Sequence, residues 1–178
     1  PALELGKRVQ AFVPSAERVR DCASGTEATM YAVRLARAHT GRDYVLKAEG
    51  GWHGGNTDLV AAVHAPFDEP ETAGLPPGAA EHVLPFRVND RASVERQFAE
   101  HEGDVAAVVV EPMLLAGGGV EVDPDFLQFL REQTAARDAL LVFDEVITGF
   151  RISPGSYQAR GDVTPDLTTL GKFLGGGR

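Results

Sequence analysis

Four short segments of this chain carry residues that could act on a small anion or an amine. The first is Asp21-Cys22-Ala23-Ser24-Gly25-Thr26-Glu27-Ala28-Thr29. Gly25 would let the backbone approach a ligand closely. Thr26 offers an amide and a hydroxyl at a helix N-terminus, where the dipole favours an anion. Ser24 and Glu27 also have the spacing of a capping box, and the two readings can coexist. The second segment is Gly50-Gly51-Trp52-His53-Gly54-Gly55, with the single tryptophan set among glycines. A flat ring presented there could cover another flat ring, or simply pack its loop. His53 beside it is a candidate hydrogen-bonder.

The third segment is Phe143-Asp144-Glu145-Val146-Ile147-Thr148-Gly149-Phe150-Arg151. Asp144 ends an apolar run and is expected to be desolvated, so it needs a positive partner or several donors. A protonated pyridine nitrogen is one such partner and Arg151 is another. Glu111, before Pro112, stands in a similar place and reads as structural. The fourth segment runs from Asp166 to Gly177. Lys172 lies there between apolar and glycine residues at a strand's end, where burial would keep the amine uncharged and nucleophilic. A solvated lysine fits the same context. Five His and one Cys form no zinc-binding spacing, and no G-x-S-x-G, Walker or G-x-G-x-x-G pattern is present.

The elements that must position these residues follow from the apolar pattern. Residues 3–13 read as a short helix with Leu5, Val9 and Phe12 along one side. Val19 to Ala23 is a strand candidate. Ser24 then opens a helix with a stripe of Ala28, Tyr31, Ala32, Leu35 and Ala36, closed by Gly41. Tyr44 to Ala48 and His82 to Phe86 read as strands. Between them Pro66, Pro70, Pro76 and Pro77 mark a long surface loop. Asn89 and Asp90 are cap candidates for a helix facing Val94 and Phe98 inward. Val105 to Val110 and Ala139 to Phe143 are continuously apolar, as strands buried on both faces should be. Asp123 to Arg137 reads as a helix with Phe126, Leu127, Leu130 and Thr134 on one side, and Asp166 to Leu170 as a last strand. Alternating strands and helices predict an α/β fold, a mainly parallel sheet with helices on both faces. Ligands then bind at the carboxyl ends of the strands. Ser24, Glu111, Asp144 and Lys172 are all expected at that edge.

The 178 residues suffice for one core, and the formal net charge of -9 argues against nucleic acid as a partner. The apolar runs are too short to span a bilayer. One cysteine excludes an internal disulfide and favours a reducing, cytoplasmic setting. Cys22 itself reads as a buried small hydrophobe. The chain starts at Pro1 without a methionine and stops just after a strand-like segment, as a piece of a longer protein would.

Five motifs stand in one order: Ser24-Gly25-Thr26-Glu27-Ala28-Thr29-Met30, Trp52-His53-Gly54, Val110-Glu111-Pro112, Phe143-Asp144-Glu145-Val146 with Thr148-Gly149-Phe150-Arg151, and Thr164-Pro165-Asp166 through Lys172. In that order they resemble the class III pyridoxal-phosphate-dependent aminotransferase family, and within it the aminomutase branch. The resemblance covers nearly the whole chain. It implies the large domain of a fold type I transferase, here partial over residues 1–178, without the N-terminal segment and the small C-terminal domain. It implies pyridoxal 5'-phosphate as cofactor, held as a Schiff base on Lys172. It implies that Asp144 keeps the pyridine nitrogen protonated, that Gly25 and Thr26 bind the phosphate and that Ser24 belongs to the cofactor site beside them. Trp52, with His53 beside it, would stack on one ring face and Val146 would pack on the other. A small amino or keto substrate, and a homodimer with shared active sites, are implied too.

The chain departs from the family after Glu111-Pro112. Polar residues that commonly contact the cofactor's phenolic oxygen or the substrate are replaced by Met113, Leu114, Leu115 and Ala116. A phosphate-binding threonine of the neighbouring subunit would lie beyond residue 178. Two other readings stay open: a cofactor-binding relative without turnover, and a non-catalytic nucleotide-binding module on a doubly wound sheet.

Overall fold

A computed structural model describes residues 2–67 and 73–175. Five strands form one parallel sheet: β1 (Tyr44–Ala48), β2 (Val83–Phe86), β3 (Val105–Val110), β6 (Leu140–Glu145) and β7 (Leu167–Leu170), in the order β2-β1-β3-β6-β7. Between β3 and β6, β4 (Met113–Leu114) and β5 (Val120–Glu121) form a small antiparallel hairpin that the sequence pattern did not reveal. Two-residue strands are too short to show a period.

Helices cover both faces. All six residues of β3 are buried, and from Ala107 onward they alternate between two cores. Val108 and Val110 join a core with Phe86, Phe98, Phe126, Leu130 and Phe143, roofed by α3 (Arg91–Glu100) and α4 (Pro124–Ala135). Ala107 and Val109 face the other way, against Val33 and Ala36 of α2 (Gly25–Thr40). Phe143 is fully enclosed, so truncating it to Ala should cost about 3–5 kcal/mol.

Several helix ends follow the sequence closely. Asp90, not Asn89, caps α3 by accepting from Ser93 N at 3.2 Å. Asn89 instead uses its amide oxygen to hold Asp123 N, just before Pro124 starts α4. Gly41 closes α2 in the left-handed conformation, φ +71°.

The structure departs from several of these expectations. Val19 to Ala23 forms no strand; the segment crosses from α1 (Ala2–Phe12) to α2 without a ladder partner, and Val19 is exposed. On α1 only Val9 is buried, while Leu5 and Phe12 stay open. On α2 the face against the sheet is Thr29, Val33 and Ala36 together with Ala32. Ala28, Tyr31 and Leu35 of the expected stripe line a cleft of about 490 Å³ between α1, α2 and β7 instead. The proline-marked stretch is a surface loop where it is described, with Pro66, Pro76 and Pro77 exposed and Pro70 outside the described residues; the return segment before it is not, since Leu59, Val60, Ala62 and Val63 are buried. Lys47, fully buried on β1, donates to Ala62 O at 3.3 Å and ties this return segment to the sheet. Cys22 is half-buried, not buried, and its thiol is pushed up by desolvation first and by Glu27 second.

Candidate active site

Four strand ends and one helix end meet at the carboxyl edge of the sheet. They enclose a cavity of about 140 Å³. The first turn of α2 supplies Gly25, Thr26 and Thr29. The loop after β1 supplies Trp52, His53 and Gly54. Glu111 follows β3, Asp144 ends β6 ahead of Val146 and Ile147, and Lys172 follows β7.

The α2 terminus is capped by Ser24, and Glu27 reaches back to the amide just before the cap rather than to that of Ser24. Ser24 Oγ accepts from Glu27 N at 3.1 Å, and Glu27 Oε2 accepts from Ala23 N at 2.6 Å. Ser24 therefore acts as the cap, and it faces the larger cleft rather than the cavity. Glu27 N and Ala28 N are taken up by Ser24, while Gly25 and Thr26, the first two residues of the helix, line the cavity at the end where the dipole favours negative charge.

The loop bearing Trp52 packs against that same turn. Gly54 has φ +86°, and a Cβ there would run into Thr26. Thr29 Oγ1 donates to His53 O at 2.6 Å, and Asn56 Nδ2 donates to the same carbonyl at 3.2 Å. Trp52 N donates to Glu111 Oε1 at 2.8 Å. The Trp52 side chain is 37% exposed, so it stands at the cavity rim and is not a packed loop aromatic.

Asp144 is 3% exposed and fully partnered. One carboxylate oxygen meets His53 Nδ1 at 2.7 Å. The other accepts from Val146 N at 3.0 Å and from Thr169 Oγ1 at 2.8 Å. Arg151 is not its partner: that side chain turns back to Ile147 O and lies over Phe173. His53 Nε2 is buried without a hydrogen-bond partner among the described residues. Glu111 is also buried, and desolvation raises its pKa while nearby His53 lowers it in part.

Of the two readings open for Lys172, burial and solvation, the structure shows the second. The residue is exposed, and it starts a short 3-10 turn (Lys172–Gly175) with φ +43°. A non-glycine residue at positive φ stores strain that the surroundings must hold. The side chain borders both the cavity and the larger cleft.

The structure thus brings Gly25, Thr26, Trp52, His53, Asp144, Val146 and Lys172 to one cavity and sets Ser24 behind its rim. It adds Thr29, Thr169 and Glu111. Thr169 stands opposite Asp144 in the β6–β7 register, a pairing no local pattern could give. Met113, Leu114, Leu115 and Ala116 are not among the residues lining the cavity; Leu114 is in the core.

A pyridoxal phosphate fits these residues. A fully hydrogen-bonded buried carboxylate, a capped helix terminus and an amine border one small space, with an indole on its rim. Among the described residues no cluster able to hold a metal is present, and no helix is long and apolar enough to cross a membrane.

Comparisons with known proteins point to one family. A glutamate-1-semialdehyde 2,1-aminomutase of Syntrophomonas wolfei is 48% identical over 98% of this chain and 41% of its own length. An omega-transaminase from Sphaerobacter thermophilus superposes with a TM-score of 0.87 at 35% identity, over 93% of this chain and 40% of its own. A beta-phenylalanine aminotransferase from Variovorax paradoxus does so with a TM-score of 0.83 at 38% identity, over 97% and 37%. The chain spans about two fifths of the length of the curated relatives it matches. The sequence pattern of the family Aminotransferase class-III matches residues 1–178, and the chain belongs to that family.

Proposed function

We propose that these residues are the cofactor-binding core of an enzyme that moves amino groups on pyridoxal phosphate. In this reading residues 1–178 are part of the large domain, and an N-terminal segment and a small C-terminal domain complete the protein. The observation that carries the reading is that Lys172 and the buried, triply bonded Asp144 border one cavity with the α2 terminus.

The bound cofactor would supply an electron sink for a carbanion next to an amine. The chain's residues would do the rest. Asp144 would hold a proton on the pyridine nitrogen, because His53, Val146 N and Thr169 fix its carboxylate in place. The amides of Gly25 and Thr26 and the Thr26 hydroxyl would hold the phosphate, with Ser24 keeping the helix end formed. Trp52 would cover one ring face and Val146 the other. Lys172 would tether the cofactor, give way to the substrate's amine, and then carry a proton between two carbons of the substrate–cofactor system. Its exposure to the larger cleft gives the amine room to swing.

The full-length protein should absorb visible light, and borohydride should fix the label on Lys172. A colourless protein with no label there rejects the reading. Substrate is decided by supplying glutamate-1-semialdehyde alone and assaying 5-aminolevulinate: its formation makes the enzyme an aminomutase. Transfer only from a separate amino donor to a separate keto acid makes it a transaminase. A homodimer with shared sites is part of the proposal, supported by exposed Leu3, Phe12 and Phe173; light scattering of the full-length protein tests it. A single cysteine is in keeping with a cytoplasmic setting.

A further inference from the structure

Gly25 and Gly171 flank the side chain of Val146. A Cβ built on Gly25 would lie 2.9 Å from Val146 Cγ1 and 3.2 Å from Cγ2. One built on Gly171 would lie 3.1 Å from Cγ1 and 3.7 Å from Cγ2. Neither glycine has a positive φ, unlike Gly50 at +81° and Gly54 at +86°. Backbone freedom therefore does not require glycine at 25 or 171. Space does, and Val146 occupies that space.

Val146 has little freedom to withdraw. It is 9% exposed, and a β-branched side chain is stiff at χ1. Its own N–H donates to Asp144 Oδ1, so moving its backbone disturbs that carboxylate. Gly25 is the first residue of α2, and Gly171 joins β7 to Lys172. One isopropyl group thus touches the helix end on one side and the segment carrying the lysine on the other.

We infer that Val146 is a spacer that sets the separation of the α2 terminus from the backbone of Lys172, with Gly25 and Gly171 as the recesses that receive it. Val146 and the two glycines are then positioning residues for Lys172, beyond any contact Val146 makes with a ring. The packing claim stands on the geometry alone; its consequence for Lys172 rests on the proposed function.

The test is a double-substitution cycle in the full-length protein: Gly171→Ala, Val146→Ala and the pair. Two quantities are read, the melting temperature of the cofactor-free protein and the rate at which Lys172 becomes borohydride-fixable after pyridoxal phosphate is added. With Val146 present, Gly171→Ala should lower the melting temperature and slow labelling about tenfold or more, as sub-ångström misplacement does. With Ala at 146 the same added methyl should cost less than about half as much on both scales, because contacting sites are not additive. Gly25→Ala should behave alike. Equal effects in both backgrounds overturn the spacer. If Gly171→Ala alone does not fold, the pair must; a pair that also fails to fold overturns it. Coupled melting temperatures in a protein that never labels would leave the spacer standing and remove the proposed function. Labelling without coupling would do the reverse.

Discussion

Asp144 and Glu145 are neighbours at the end of β6, both acidic and both buried, at 3% and 0% exposure. Strand alternation sends them to opposite faces. Asp144 turns toward α2 and meets an imidazole, an amide and a hydroxyl. Glu145 turns to the other face and meets only neutral donors: Tyr157 N, Gln158 Nε2 and Thr148 Oγ1. Desolvation accordingly drives the Glu145 pKa up, against the pull of those donors. Gln158 passes the contact on to Thr168 and to Ser15 N, which ties β7 to the segment after α1. One acid of the pair thus faces the cavity and the other fastens the scaffold. The difference comes from what each face presents, not from residue type or depth.

That contrast is open to attack at three points. The largest expected effect is Asp144→Asn, which removes the charge but keeps the shape; kcat should fall about a hundred- to thousandfold, read by steady-state turnover of the holoenzyme. Next is Glu145→Gln. Its amide would turn a donor toward other donors, so the cofactor-free protein should lose about 1–3 kcal/mol in denaturant unfolding while kcat stays within about threefold. Turnover reduced as far as in Asp144→Asn would erase the distinction between the faces. The same variant has a pH signature. Because Glu145 is raised above its ordinary 4.5, the native state keeps a proton that the unfolded chain has already released. Stability therefore falls as pH rises from that value through the raised one. Glu145→Gln should flatten part of this slope, leaving the share due to Glu111, which is raised in the same sense. The smallest effect is Thr169→Val. Losing one neutral donor to Asp144 should reduce kcat roughly two- to tenfold, the equivalent of about 0.5–1.5 kcal/mol.

Much of the scaffold could be read directly from the residues. Val105 to Val110 announces a buried strand because both its faces meet helices. Ser24 and Glu27 announce a helix start because capping contacts are local. Lys172 and Asp144 were legible as polar residues closing apolar runs. What escaped depended on partners distant in sequence. Thr169 looks like any strand threonine until the β6–β7 register sets it against Asp144. Val19 has strand-like neighbours but no ladder to join. The buried side of α2 is set by where β3 and β6 lie, so only part of its apolar stripe faced inward. Both burial and solvation fitted the neighbours of Lys172; the strained turn after β7 leaves it exposed.

The cavity's walls come from residues 25, 26, 29, 52–54, 111, 144, 146, 147 and 172, and the network behind them joins Ser15 to Thr168 across 153 positions. Contacts of such span are slow to form, because a long stretch of chain must be ordered before any of them is made. During synthesis the α2 terminus emerges first and must wait for the carboxylate and then the amine. Until residue 172 has left the ribosome, the nascent chain holds a half-built sheet whose last edge is open. That interval is when a chaperone has most to protect.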